Sequence, residues 1–268
     1  MNERFGFIGC GNMGSALAAG VVQAVGGANV ALSGRTAEKV ERCAKTLGAS
    51  VSSNEAIARS ATYIFLGVKP QMMADLLSDL APILRARTDR FVLVSMAAGL
   101  TAARIAEMAG GDYPVLRIMP NTAVSVGEGI ILYTANHLVT EDETAELVSA
   151  MGCCGLLDPL AEHLMDAGSA LAGCGGAFCD LFMEALADGA VAAGLPRAKA
   201  QQYAAQVLCG AGKLLAVSGK HPGLLKDEVC SPGGGTIQGV RALERGGLRA
   251  AAMEAVIAAC EKNKELGK

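Results

Sequence analysis

The sequence has little that would support a nucleic-acid surface, a disulfide framework or a metal centre. Its 268 residues include no tryptophan, only 4% aromatic residues and three histidines. Few aromatics leave little for stacking bases, and the net charge of −3 comes without a stripe rich in lysine and arginine, so we expect no nucleic-acid partner. The nine cysteines are scattered, form no CxxC pair and lie apart from the histidines. We therefore expect small buried thiols, with neither metal nor disulfides.

Long apolar runs are also scarce. No uninterrupted apolar stretch reaches the roughly 18 residues needed to cross a bilayer, so we expect no membrane span. Near the N-terminus, Glu3 and Arg4 precede only a few apolar residues before glycines follow, which is not the pattern of a signal peptide. These features predict a cytoplasmic protein.

Short apolar segments alternate with helical patterns over the first part of the chain. Helix patterns cover residues 13–25, 36–47, 70–80, 101–109 and 140–151, the last opening with a capping box from Thr140 to Glu143. The predicted strands are residues 4–9, 29–34, 62–68, 90–96, 113–119 and 129–134. This alternation predicts an α/β, Rossmann-type doubly wound and mostly parallel sheet over residues 1–159.

Strand patterns end near residue 160. The predicted helices there are residues 177–194, 196–217, 222–229, 236–245 and 247–265. In the first of them Asp180, Glu184 and Asp188 share one face and leave the rest apolar. We therefore predict an all-α domain over residues 160–268, and we expect so apolar a domain to pair with a second copy.

A glycine-rich turn indicates a dinucleotide site. The pattern Gly9-x-Gly11-x-x-Gly14 follows the first predicted strand and opens the first predicted helix, which is the context that gives this motif its weight. The first glycine permits the turn, the second lets the backbone approach a pyrophosphate, and the third allows close packing of helix on strand. The helix start adds unpaired N–H groups and a partial positive charge.

The end of the second strand favours NADP(H) over NAD(H). An NAD site would carry an acid there, but the chain has Ser33 and Arg35, with no acid until Glu38. A guanidinium suits a 2′-phosphate, although Arg35 as an ordinary solvated loop residue remains the alternative. Two further loops, residues 67–70 and 95–99, fall at strand ends where such sheets bind ligands. Lys69 either takes part in the chemistry or is simply a solvated lysine at the end of a strand.

Several motifs occur in order along nearly the whole chain. They are Gly9-x-Gly11-Asn12-Met13-Gly14, Val68-Lys69-Pro70, Ser95-x-Ala97-Ala98-Gly99, Arg117-x-Met119-Pro120-Asn121-Thr122, residues 184–191 and 221–229, and Ser231-Pro232-Gly233-Gly234. Taken together, these motifs resemble those of pyrroline-5-carboxylate reductases. The chain departs from the usual family pattern at Ala123, at residues 172–178 and at Gly235.

The resemblance implies hydride transfer from NADPH, with NADH also accepted, to the C=N carbon of 1-pyrroline-5-carboxylate, giving L-proline. It also implies a homodimer with interlocked helical domains, a site at the dimer interface, and larger assemblies of dimers. Implied cofactor contacts are Ile8, Gly9, Cys10, Gly11, Asn12, Met13, Ser33, Arg35, Asn54, Gly67, Val68, Lys69, Pro70, Met96, Ala97 and Ala98. Implied substrate contacts are Glu162, Glu228, Ser231, Gly233, Gly234, Gly235 and Thr236.

The chemistry of an imine fits this set. A glycine-rich loop that enters a helix offers converging N–H groups to the substrate carboxylate. Thr236 either caps that helix or bonds the imine nitrogen as the catalytic hydroxyl, and Glu162 is either a substrate contact or a surface carboxylate. An NADP-dependent hydroxyacid dehydrogenase is a rival, but residues 173–188 lack the basic residue it predicts. A nucleotide-binding regulator without turnover is a second rival, and it predicts a broken substrate loop.

Overall fold

The computed structural model describes residues 4–266. The chain divides into two compact units: residues up to Cys174 together with those from Ala259 on, and Gly175–Ala258. We call them the sheet unit and the helical unit.

An eight-stranded sheet forms the centre of the sheet unit. Its strands are β1 (Phe5–Ile8), β2 (Val30–Ser33), β3 (Ser50–Val51), β4 (Tyr63–Leu66), β5 (Val92–Ser95), β6 (Val115–Pro120), β7 (Gly129–Ala135) and β8 (Gly155–Pro159). The order across the sheet is β3-β2-β1-β4-β5-β6-β7-β8, and every neighbouring pair is parallel except β6 with β7. The predicted doubly wound sheet is confirmed, and its strand order reverses between β1 and β4, where such sheets bind ligands.

Among residues 4–266, seven α-helices lie wholly in the sheet unit. The predicted capping box is confirmed at the start of the sixth, where Thr140 and Glu143 bond each other's backbone N–H groups. Thr36 stands at the start of the second but makes no side-chain cap bond. The helices are α1 (Asn12–Val25), α2 (Ala37–Leu47), α3 (Asn54–Ser60), α4 (Met73–Ala86), α5 (Ala102–Ala109), α6 (Glu141–Ala150) and α7 (Met165–Ala172).

Apolar side chains cover both faces of this sheet. On one face Phe7 stacks on Phe65 with ring centroids 4.2 Å apart, under α1 and α6. On the other face, side chains of α3, α4 and α5 pack over β4 and β5. A third cluster joins Met165 of α7 to Met119 and Leu132, so α7 packs on β6 and β7. The domain boundary expected after residue 159 stays a prediction.

The helical unit contains no strand among its described residues, as predicted. Its small core is Ala187, Ala200 and Ala204, where α8 (Gly175–Ala192) packs against α9 (Arg197–Ser218). Many larger apolar side chains are exposed, among them Leu181, Val207 and Val217. The helices that begin in this unit are α8 (Gly175–Ala192), α9 (Arg197–Ser218), α10 (Pro222–Glu228), α11 (Gly235–Arg245) and α12 (Leu248–Leu266).

One helical stretch passes a length and composition test for crossing a membrane. It covers Glu162–Ala192, has a mean hydropathy of 1.4 in its most apolar window, and is 11% buried there. A single helix of this kind is weak evidence, because core helices of soluble proteins have the same length and composition. The expected absence of a membrane span therefore stays a prediction.

Candidate active site

A cavity of about 830 Å³ opens where β1, β2 and β4 end. It brings together residues that the sequence predicts from three separate loops. Half of the predicted cofactor residues line it: Gly9, Cys10, Gly11, Asn12, Arg35, Gly67, Val68 and Lys69. The cavity therefore lies at the reversal of the strand order, as a doubly wound sheet predicts.

The glycine turn at the end of β1 has the geometry of a dinucleotide-binding turn. Gly9 has φ +109°, and a Cβ there would lie 2.5 Å from the Gly67 carbonyl oxygen. A Cβ on Gly14 would lie 2.1 Å from the Gly9 carbonyl oxygen, whereas a Cβ on Gly11 would meet open space. The first turn of α1 has no acidic residue and no side-chain cap, so its N–H groups are available to an anion.

The cavity wall is positively charged. Arg35, Lys39, Arg42 and Lys69 line it, no aspartate or glutamate does, and none of these four cations makes an ion pair with another described residue. Such a wall fits a ligand with several phosphate charges. Lys39 and Arg42 were not predicted. Their three-residue spacing on the helix after Arg35 places them on one face, and this pattern could have indicated a cationic surface there.

Burial controls the thiol at the glycine turn. Desolvation, helped by the neighbouring thiol of Cys43, raises the pKa of Cys10 to about 11. Cys10 therefore stays neutral at physiological pH, and its side chain adds no negative charge beside the α1 N-terminus.

The other predicted cofactor residues lie outside the cavity lining. Ser33 is buried, and its hydroxyl donates to Asn54 Oδ1 at 2.6 Å, so these two fix the start of α3 against β2. Ile8 and Ala97 are buried, and Ala98 packs beside the Met119 cluster. Met13, Pro70 and Met96 also lie outside the cavity lining. Their contacts with a cofactor stay predictions.

Glu162 is anchored in the sheet unit. Arg117 on β6 is almost fully buried, and its Nη1 donates to Glu162 Oε1 at 2.7 Å. The second carboxylate of this turn, Asp166, has its Oδ1 3.9 Å from Arg117 Nη2. Glu162 therefore forms an ion pair with a buried arginine. The description of Glu162 as a surface carboxylate did not foresee this pair.

The remaining predicted substrate residues lie in the helical unit. Glu228 ends α10 and pairs with Lys220. Gly233 has φ +71°, and the Gly234 N–H donates to the Ser231 carbonyl oxygen at 3.0 Å, which closes the loop before α11.

The hydroxyl of Thr236 does not cap α11. The capping position is Gly234, with no side-chain cap bond, and Thr236 is the second residue of the helix. Thr236 is exposed and forms no described hydrogen bond. A Cβ on Gly235 would meet no atom within 4 Å, so that loop position is open. The loop thus presents a helix N-terminus and the unbonded hydroxyl of Thr236.

Comparison with known proteins identifies the family. The chain is 38% identical to pyrroline-5-carboxylate reductase of Escherichia coli K12 over all of both chains. The chain belongs to the pyrroline-5-carboxylate reductase family. It is also 42% identical to pyrroline-5-carboxylate reductase 3 of Danio rerio, covering 98% of this chain and 91% of that one.

Two family models match separate parts of the chain, and a solved structure of this reductase family matches its whole length. Residues 162–266 match the model for pyrroline-5-carboxylate reductase dimerisation, and residues 4–99 match that for NADP oxidoreductase, coenzyme F420-dependent. A Plasmodium falciparum pyrroline carboxylate reductase with NADP bound superposes with a TM-score of 0.87 at 32% identity, covering 100% of this chain and 99% of that one. The 4–99 match contains every residue that lines the cationic cavity.

A second cavity, of about 710 Å³, lies within the helical unit between α8 and α9. The predicted face of Asp180, Glu184 and Asp188 lines it, and Asp188 pairs with Arg197. No predicted site residue lines this cavity. Among the described residues 4–266, no group of three or more histidine, cysteine or acidic side chains could hold a metal ion.

Proposed function

We propose that this chain reduces the C=N bond of 1-pyrroline-5-carboxylate with NADPH and forms L-proline, and that NADH is accepted less well. The cavity with four cations and no acid at the α1 N-terminus carries the cofactor part of this proposal. Full-length similarity to reductases of that name supports the reaction.

Arg35 selects the cofactor. It lines the cavity just beyond the end of β2, where the adenine ribose of a dinucleotide lies in such sheets. Its guanidinium can give a 2′-phosphate two parallel hydrogen bonds, an interaction that NADH lacks. The glycine turn and the first turn of α1 then hold the pyrophosphate.

The loop Ser231–Gly235 binds the substrate carboxylate. Its glycines leave room, and the first N–H groups of α11 have no acceptor within the helix. Thr236, with its exposed and unbonded hydroxyl, orients the imine nitrogen and supplies its proton. Glu162 and Glu228 complete the substrate contacts in this proposal.

The residues of this chain orient the substrate and supply one proton. The reduced nicotinamide supplies the hydride when it is bound. The hydride adds to the C=N carbon while one proton goes to nitrogen, so imine, NADPH and a proton give proline and NADP⁺. An imine is protonated readily, so a weak donor such as Thr236 suffices, and no lysine, histidine or arginine is required in residues 173–188.

A second copy completes the helical unit. Tyr203, Val207, Leu214 and Val217 form an exposed apolar stripe on one face of α9. We propose that these helices interlock with those of a second subunit, that the site forms at this dimer interface, and that dimers assemble further. We also propose that the protein works in the cytoplasm and that its domains are residues 1–159 and 160–268.

The test is a stoichiometric assay. Purified protein is mixed with NADPH and 1-pyrroline-5-carboxylate, and both NADPH consumption and proline formation are followed. We expect one proline for each NADPH consumed, and a lower kcat/KM with NADH. A protein that binds NADPH tightly but forms no proline would contradict the proposal and favour a regulator.

A further inference from the structure

Two arginines of the sheet unit are buried to the same degree but are satisfied differently. Arg87 is 3% exposed and Arg117 is 2% exposed. Arg87 uses all its nitrogens: Nε and Nη2 bond Asp89, and Nη1 donates to the carbonyl oxygens of Ala58 at 3.0 Å and Ala61 at 2.8 Å. The sheet unit can therefore accommodate a buried guanidinium completely.

Arg117 is bound at one nitrogen only. Its Nη1 donates to Glu162, whereas its Nε and Nη2 are buried and make no hydrogen bond to a protein atom. Asp166 Oδ1 lies 3.9 Å from Nη2, beyond hydrogen-bond distance. Buried donors without an acceptor cost free energy, and an apolar side chain in their place is often no less stable. Fold stability is thus a poor reason for an arginine here.

The position of Arg117 offers a better reason. It lies on β6 in register with Ser95, the last residue of β5. The next residues, Met96–Ala98, are among the cofactor contacts that the family resemblance implies. The ion pair with Arg117 therefore holds the Glu162 carboxylate at the end of the sheet where the reacting atoms are expected.

The turn that carries Glu162 is fixed from two directions. Arg117 holds it to β6, and the side-chain amide of Asn263 donates to the Asp166 carbonyl oxygen at 3.2 Å. The Glu162 side chain remains 37% exposed, so one part of it stays open to a ligand while Oε1 is engaged. A carboxylate held in this way would stabilise the positive charge that develops on the imine nitrogen as it receives its proton.

We propose that Arg117 is a positioning residue, which holds the Glu162 carboxylate in the orientation that binds the imine substrate. The inference rests on the proposed function. Arg117 acts through Glu162, so its loss should weaken substrate binding and leave cofactor binding intact.

The test compares Arg117→Met with Arg87→Met, the second being the matched buried arginine. We expect Arg117→Met to raise KM for 1-pyrroline-5-carboxylate about tenfold or more, because a charge-assisted bond is lost, with the Kd for NADP⁺ within about twofold. Its Tm should stay near that of the wild type. Arg87→Met should show the opposite pattern, a clearly lower Tm with an unchanged KM, because two buried carbonyls lose their donor.

Two further variants keep the result interpretable. Arg117→Lys retains the charge and should restore part of the lost substrate affinity, and it serves if Arg117→Met fails to fold. Glu162→Gln should raise the same KM, and the double variant should be no worse than the poorer single variant, since both act through one ion pair.

The activity of the wild type distinguishes failure of this proposal from failure of the proposed function. A wild type that turns over while Arg117→Met and Arg117→Lys keep a normal KM overturns this proposal alone. Additive effects of the Arg117 and Glu162 changes overturn it as well. A wild type with no turnover overturns the proposed function and this proposal with it.

Discussion

The sheet unit and the helical unit bury their apolar side chains to very different extents. In the sheet unit Phe7, Phe65 and Leu93 are at most 1% exposed, and helices cover both faces of the sheet. In the helical unit Leu181 is 66% exposed and Val207 is 61% exposed, while the buried cluster consists of three alanines. The first unit completes its own core, whereas the second exposes the kind of surface that another chain covers.

This difference divides the proposed function as well. The cationic cavity lies in the unit whose core is complete, and Thr236 with the loop before it lies in the unit whose core is not. Cofactor binding should therefore survive the loss of a second copy, but turnover should not. Three changes test this division and a fourth tests a helix cap within the sheet unit, in order from the largest expected effect to the smallest.

A charge on the exposed stripe of α9 should have the largest effect. Val207→Glu places a carboxylate where a second copy would bury it, at a cost that a protein interface seldom compensates. We expect specific activity to fall about a hundredfold or more as assembly is lost. Sedimentation and turnover, measured at the same protein concentration, check this.

The matched control is Val51→Glu, because Val51 is 55% exposed in the sheet unit. We expect that variant to assemble and turn over normally. A Val207→Glu protein that stays assembled and active would show that the stripe is ordinary surface.

Loss of the Thr236 hydroxyl in the helical unit should have the second-largest effect. Thr236→Ala should lower kcat about tenfold to a thousandfold, the range at and below that of positioned proton donors. Tm should hardly change, because Gly234 is the capping residue of α11 and Thr236 makes no described hydrogen bond. Thr236→Ser should recover most of the rate. A loss of rate matched by a loss of stability would point to a structural role.

Loss of Arg35, in the cofactor cavity of the sheet unit, should have a smaller effect that is selective for NADPH. Arg35→Ala should raise KM for NADPH about tenfold to a hundredfold, since charge-assisted bonds to a phosphate are lost, and should leave KM for NADH nearly unchanged. Lys45→Ala is the control, since Lys45 lies on α2, the helix that follows Arg35, but does not line the cavity. Equal effects on both cofactors would exclude Arg35 as the residue that recognises the 2′-phosphate.

A surface cap gives the smallest effect. Hydrogen bonds from Arg90 hold the pKa of Glu143 below its ordinary value of 4.5. Glu143 therefore stabilises the fold at pH values above that ordinary value, and the stabilisation is lost as the pH falls through the lowered pKa. Glu143→Gln should reduce the free energy of unfolding by about 1 kcal/mol at neutral pH, and by less in acid. Urea unfolding across pH, with Glu141→Gln as control, measures it.

The sequence predicted the fold where its signals are local and repeated. The six apolar strands, the capping box and the helical second half all follow from periodicity and capping residues. It missed β3, which has two residues, and β8, whose Asp158 and Pro159 break the apolar pattern. It also missed α3, which has seven residues, and α7, whose place is set by packing of Met165 on the sheet rather than by propensity.

The site was predictable to the extent that it follows the glycine turn and strand ends. The positions of Gly9, Gly11 and Lys69 in one cavity follow from strand order. The bond between Ser33 and Asn54 and the ion pair between Arg117 and Glu162 join residues far apart in the chain, and no local pattern announces them. Long-range side-chain pairs of this kind become visible only once the fold places them.

Dilution tests the division between the two units most directly. Turnover, sedimentation and NADPH binding are measured on the same wild-type samples over a series of falling protein concentrations. We expect activity per chain to fall in step with the assembled fraction while NADPH binding persists. A monomer that turns over at the full rate would contradict the conclusion that a second copy completes the helical unit and its site.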